Sequence, residues 1–333
     1  MKEKAGMILK YLLGLGFGGL LMVAAFRQID FGKVSLILQQ TDYRWVLLAL
    51  VCSLAANWFR ALRWRMLLQA SGYNPSPLHS FCALQAGYMA NNAVPRMGEV
   101  TRCTVLIRSD EIPFVVSAGT VVTERAIDVI TLLGLIAGIF LMEFKTLWQY
   151  FETVPFLQNF NLMSPVLWIG FLLLAGLAGL LWYSKDKLLK IPLFQKIWQF
   201  ATDVIQSAMS IRNLKQVNLF LFYTFIVWFL YILIPYFTFF AIPETANHSF
   251  YFALILMIMG GIGMTLPVPG GVGPFHNAII FTFAVYGFSR DAGGSLALLV
   301  HTPQFILILL TGAIAYFYLV LQTPQASKYP SES

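Results

Sequence analysis

Three groups of polar and ionisable residues stand inside otherwise apolar sequence. Arg96, Glu99 and Arg102 follow Asn91 in the run NNAVPRMGEVTR. Helical i to i+3 spacing places Glu99 beside both arginines, and the positive charge left over after pairing suits a phosphate. Arg96 lies between Pro95 and Gly98, where backbone donors are free as well, so it takes the larger role in this reading. Glu124, Arg125 and Asp128 form the second group, with Glu124 and Asp128 at i and i+4 on one helical face. The third is TLPVPGGVGPFHN. Its Gly270, Gly271 and Gly273 let backbone N–H groups approach an anion, and a half-helix opening near Pro274 aims its positive end at the same place, beside His276 and Asn277. The chemistry this suits is capture of an anionic headgroup, with carboxylates that hold the cations or meet an amino group. The structural alternatives are arginines snorkelling at an interface, an ion cluster that locks one helix to its neighbours, and a glycine turn needed for packing.

These groups need elements to hold them, and composition says which. Hydrophobic residues make up 58% of the 333 and charged residues only 11%; mean hydropathy is +0.72. A water-soluble domain is roughly one quarter charged, so this chain cannot cover a soluble surface. With about 20 apolar residues per span, crossings fall near 7–26, 45–62, 113–142, 165–183, 217–240, 249–266, 272–288 and 295–321, about eight in all. The expected fold is an all-α polytopic membrane protein, one integral membrane domain over 1–333, with re-entrant or broken segments near 78–108 and 265–288. Unwound backbone at bilayer depth persists only where protein buries it or a polar cavity receives it. Broken segments in corresponding positions of two halves point to a transporter's binding site and to an inverted repeat. Glu124, Arg125 and Asp128 lie well inside the long span near 113–142, where each charge costs at least ~2.5 kcal/mol and must face a partner or a wet cavity.

Orientation follows from Lys and Arg in short loops. Lys2, Lys4 and Lys10 precede the first span, Arg60, Arg63 and Arg65 follow the second, and Lys185, Lys187, Lys190, Lys196, Arg212 and Lys215 fill the loop before the fifth. All fall on one side, which makes both termini cytoplasmic and gives the net charge of +7 an anionic lipid surface, not nucleic acid, as its partner. The stretch 185–212 reads as an amphipathic helix at the cytoplasmic interface. The first apolar segment carries no small-residue cleavage site and is expected to stay as a span. Cys52, Cys82 and Cys103 lack metal-like spacing and read as small buried hydrophobes. No nucleotide-binding loop or metal motif is visible, so no cofactor and no metal are expected. His276 can titrate near neutral pH.

The chain resembles the lysylphosphatidylglycerol synthase transmembrane-region family, described as flippase-like. The resemblance rests on Pro95-Arg96-x-Gly98-Glu99-x-x-Arg102, Glu124-Arg125-x-x-Asp128 and Pro267-x-Pro269-Gly270-Gly271-x-Gly273, in that order. At His276 the chain departs from the glutamate expected of many relatives. The resemblance implies a lipid flippase of a bacterial inner membrane that moves a phospholipid or lipid-linked headgroup between leaflets. In the best-understood members a separate cytosolic domain makes an aminoacylated phosphatidylglycerol; no stretch of soluble length and polarity stands here, and no such domain is expected. The membrane and an anionic headgroup are the expected partners, with a homodimer or a partner enzyme left open. Two other classes remain: a membrane-embedded lipid-modifying enzyme using Glu124, Asp128 or His276 as base, and an accessory subunit that positions a glycosyltransferase or synthase.

Overall fold

The computed structural model describes residues 19–20, 22–23, 29–153, 195 and 214–321, with backbone alone at 143 and 145–153. Among the described residues all regular structure is helical. In chain order the helices are α1 (Phe31–Gln39), α2 (Tyr43–Ala70), α3 (Pro77–Ala93), α4 (Met97–Asp110), α5 (Phe114–Thr153), α6 (Val217–Ala241), α7 (Phe250–Met264), α8 (Pro274–Val285) and α9 (Arg290–Leu321). Segments in α2, α5, α6 and α9 are long and apolar enough to cross a membrane. Apart from residues 19–20, 22–23 and 195, the expected spans near 7–26 and 165–183 and the amphipathic stretch 185–212 lie outside the described residues. The chain divides into two units, Met1–Glu124 with Asn213–Ser333, and Arg125–Arg212.

Local sequence sets the helix starts. Asp42, Ser76 and Ser249 each turn a side-chain oxygen onto an amide of the following first turn, and Pro77 occupies the first helical position after Ser76, where no amide partner is needed. Most hydroxyls inside the spans are spent on their own helix. Thr41, Thr101, Thr104, Thr224, Thr238, Thr282 and Thr311 each donate to the carbonyl four residues back.

Two antiparallel hairpins carry the interruptions. In the first, α3 and α4 meet through Gly87 and Gly98. A Cβ on Gly87 would stand 2.8 Å from the Gly98 carbonyl oxygen, so neither position has room for a side chain. His79 Nδ1 meets both carboxylate oxygens of Asp110 at 2.9 Å and closes the far end of the hairpin. In the second, α7 and α8 meet through Gly263, where a Cβ would lie 2.8 Å from the Pro274 carbonyl oxygen. The expected crossings at 249–266 and 272–288 correspond to two short helices. With 15 and 12 residues, α7 and α8 are each shorter than the roughly 20 a span requires, because the Thr265–Gly273 segment breaks the run.

The two hairpin turns share a backbone. Val94 is extended (φ −134°, ψ 119°) and, after Pro95, Arg96 is left-handed (φ 67°, ψ 2°). Val268 is extended (φ −112°, ψ 135°) and, after Pro269, Gly270 is left-handed (φ 60°, ψ 7°). The left-handed region suits Gly270 and costs energy at Arg96. Helix α9 joins the hairpins. Gly312 has Gln85 and Met89 of α3 against it, and further along α9, Phe305 lies against Gly270 and Gly293 against Phe283 of α8. The end of α3 reaches the glycine turn itself, with Asn92 Oδ1 3.7 Å from the place a Gly270 Cβ would take.

In the second unit, α5 continues from Arg125 to Thr153. Val129, Ile130, Leu133, Phe140 and Leu141 are exposed, as suits a helix clothed by lipid. Arg125 and Asp128 are half-buried near its start.

Candidate functional site

Helix α2 packs against α3 and α6, and its buried residues include the polar Ser53, Asn57, Arg60 and Arg63 beside Ala56 and Trp64. Hence Arg60 and Arg63 are not loop charges following a span, as the positive-inside count takes them. The helix runs on to Ala70, and both side chains are buried within it. Arg65 does reach the connecting loop, donating to the Pro75 carbonyl and to Asn74.

Glu124 is the centre of the site and is fully buried. Its Oε1 accepts from Arg60 Nε at 2.6 Å and lies 3.5 Å from Arg63 Nη2; its Oε2 accepts from Arg102 Nη1 at 2.8 Å. Two helices, α2 and α4, thus bring three cations to one carboxylate supplied by α5. The arginines on this carboxylate come from helices distant in sequence, which spacing along α5 could not show. Buried charge is tolerated only when paired and further stabilised. Aromatic faces contribute here: Arg102 lies 4.7 Å from the Trp64 ring centre, Arg60 5.9 Å from Tyr88 and Arg63 6.0 Å from Phe220. The Trp64 ring is itself fixed, its Nε1 donating to Thr120 Oγ1 at 2.9 Å.

Arg102 carries the feature most suited to ligand capture. It is 2% exposed, and its Nε and Nη2 find no hydrogen-bond partner among the described residues. Those two N–H groups form one edge of the guanidinium, the edge that grips a carboxylate or phosphate bidentately. With Nη1 on Glu124 and the flat face on Trp64, that edge is held in place and its donors are unmet.

A polar chain leads away from the arginines. Arg60 Nη1 donates to Tyr231 Oη at 3.2 Å. Asn57 donates to Gln85, which donates to Thr311 on α9, and Ser53 donates to Gln304. Arg60, Arg63, Asn57 and Gln85 are absent from the sequence-derived site. The available signal was spacing: Ser53, Asn57, Arg60 and Trp64 recur at helical period in an apolar run, on the face that also carries Ala56.

The other expected site residues distribute as follows. Asn91 Oδ1 accepts from the Gly98 amide at 2.6 Å and ties the first turn. Arg96 is exposed and precedes α4, so the i to i+3 rule does not relate it to Glu99, which is half-buried. Gly270, Gly271 and Gly273 are buried, all with positive φ, and a Cβ on Gly270 would stand 2.5 Å from the Phe305 ring. His301 Nε2 donates to the Gly270 carbonyl at 2.8 Å. His276 is buried with its ring centre 5.0 Å from that of His301, and Asn277 Nδ2 donates to the Gly273 carbonyl at 3.0 Å. Cys52, Cys82 and Cys103 are free and buried.

Comparison with known proteins agrees with this architecture. The chain is 23% identical, over 91% of its length and 93% of the other's, to a UPF0104 membrane protein of Methanocaldococcus jannaschii. No solved structure matches it. Residues 8–312 match the sequence profile of the lysylphosphatidylglycerol synthase TM region. An all-helical polytopic membrane protein with a buried arginine cluster, matched over that length, belongs to the lysylphosphatidylglycerol synthase transmembrane-region family.

Proposed function

We propose that this protein is a lipid translocator, carrying a phospholipid or lipid-linked headgroup between the leaflets of a cytoplasmic membrane with both termini inside. The observation that carries the reading is the unmet edge of Arg102, a buried bidentate donor pair in a helix hairpin interrupted by Pro95. A headgroup phosphate would dock on Nε and Nη2, with Glu124 and Trp64 holding the guanidinium in position. Arg60 and Arg63 would share the added negative charge as Glu124 yields part of its hold on them. The glycine turn at Gly270–Gly273 would give the headgroup a close backbone approach on the other side of α3. On this reading the protein makes and breaks no covalent bond, and movement is passive or gradient-coupled.

The test is a leaflet-resolved assay of fluorescent phosphatidylglycerol in vesicles holding the purified protein. Wild type should clear the label from the far leaflet well above the protein-free rate. Arg102→Lys, which keeps the charge and loses the fork, should slow it by about tenfold or more. A wild-type rate equal to that of empty vesicles would sink the proposal.

A further inference from the structure

From Gln216 to Ser289 the sequence holds one Asp, Glu, Lys or Arg, which is Glu244, and beyond Asp291 helix α9 holds none. The readily ionised side chains left in α7, α8 and the rest of α9 are two imidazoles, and they meet. The ring centres of His276 and His301 lie 5.0 Å apart, and His276 is 1% exposed. Counting 1.5 Å per residue from Arg290, His301 stands about 16 Å along α9, half the ~30 Å thickness of a hydrocarbon core. Both hairpin tips arrive there. Helix α8 runs along the first half of α9, with Phe283 on Gly293 and Phe275 5.1 Å from His301; α3 runs along the second half, with Gln85 on Gly312 and His79 on Tyr318. Gly270 at one tip lies on Phe305 and beside Asn92 at the other. Helices α3, α6 and α8 pack on α9 without an Asp, Glu, Lys or Arg among them. Lys33 of α1 pairs with Asp291, Arg60 and Arg63 of α2 and Arg102 of α4 lie on Glu124, and Asp110 of α4 lies on His79. Arg96 and Glu99 are the remaining charges at the tips. Against the imidazoles stand the Gly270 carbonyl and the rings of Phe275 and Phe305.

We propose that His276 and His301 form a proton-binding site, and that the protonated pair opens the meeting point of the two hairpins to water. His301 Nε2 donates to the Gly270 carbonyl at 2.8 Å, and a carbonyl can only accept, so the neutral ring keeps its lone pair on Nδ1. That nitrogen is the base. Two imidazolium ions with ring centres 5.0 Å apart would repel each other, so the pair takes one proton between them. Neutral, the pair keeps the tip closed, with one ring tying the left-handed Gly270 to α9. Charged, it finds no Asp or Glu on α3, α6 or α8 to meet it, and at this depth a cation without a counter-ion is stabilised by water. The proton therefore binds the open arrangement better than the closed one, and acid shifts the population toward the open one. A donor needed only to hold Gly270 could be an amide, and would require no second imidazole. On the translocator reading the proton is the coupled ion; the site itself stands without that reading.

The purified full chain in lipid nanodiscs, labelled with carbon-13 at its histidines and followed by NMR from about pH 8 to about pH 4, tests this directly. The chain has four histidines. His276→Gln and His301→Gln each remove one signal of the pair, and in wild type those two should titrate as a coupled unit that takes up one proton. Removing either imidazole should move the midpoint of the other. Over the same range, amide hydrogen exchange in 266–273, corrected for its intrinsic pH dependence, should quicken about tenfold or more in wild type as the proton binds. It should hold steady in His301→Gln, which keeps a donor for Gly270 and takes no proton. A wild-type pair that stays neutral throughout, midpoints indifferent to loss of the partner, or an acid-driven rise in exchange that persists in both variants would overturn the proposal. Fluorescent phosphatidylglycerol in vesicles under a pH gradient separates the two claims. A rate that follows the gradient in wild type and ignores it in His301→Gln supports coupling. A rate indifferent to the gradient overturns the coupling and keeps the proton site, whereas no movement at all removes the translocator and leaves the titration standing.

Discussion

At the scale of single residues, the site turns on how Glu124 and the arginines hold one another in place. Replacing Glu124 by Gln leaves Arg60, Arg63 and Arg102 facing an amide in a buried setting, which should cost about 3–5 kcal/mol of stability. The checking measurement is denaturation in a mild detergent, where Glu124→Gln should lose folded protein well before any lipid is added. Arg96 behaves differently, being exposed at a left-handed backbone position. Arg96→Gly should leave the fold intact and relax the turn, so any loss of translocation in that variant reports the guanidinium alone.

At the scale of elements, the α3–α4 and α7–α8 hairpins depend on glycine contacts that admit no side chain. Gly87→Ala should wedge α3 from α4, since its Cβ would stand 2.8 Å from the Gly98 carbonyl, and should cost about 1–3 kcal/mol. Gly119→Ala on α5 has nothing within 4 Å of the new methyl and should be neutral or stabilising by up to ~1 kcal/mol. Thermal unfolding of the two variants side by side checks the contrast. Much of this scale is legible in the sequence. Pro95 and Pro269 follow valine, precede a residue that must reverse the chain, and mark both turns before any coordinates are known. What the sequence conceals is which charges share a pocket. Glu124 and Arg125 are neighbours in the chain but diverge around the helix, while Arg60 and Arg63 look like the flank of a span that in fact continues to Ala70. Linear proximity is a poor guide to ion pairing when helices from distant parts of the chain bring the partners together.

At the scale of the whole molecule, moving Arg60 and Arg63 into the interior removes two charges from the positive-inside count, so the expected orientation rests on Lys2, Lys4 and Lys10 and the lysines of 185–215. Single cysteines placed at Glu152, Lys187 and Lys328 in a background lacking Cys52, Cys82 and Cys103 check the orientation. A reagent that cannot cross the membrane should label position 152 from outside in intact cells and the other two only after lysis. Labelling at 187 in intact cells would reverse the orientation and, with it, the leaflet from which cargo enters.

One consequence of the Glu124 arrangement concerns the return journey. The carboxylate already neutralises, from within, part of the guanidinium charge that a cargo anion on the Nε–Nη2 edge of Arg102 would neutralise. It is a tethered rival, present at the high effective concentration that attachment confers. On the translocator reading an arriving lipid must compete with it, which keeps binding moderate and release quick. The emptied protein, meanwhile, never exposes bare cations to hydrocarbon, because its own counter-ion stays with them. A carrier that resets without a passenger has no need of exchange, so net transfer into vesicles whose receiving leaflet holds only zwitterionic lipid should proceed at the full rate.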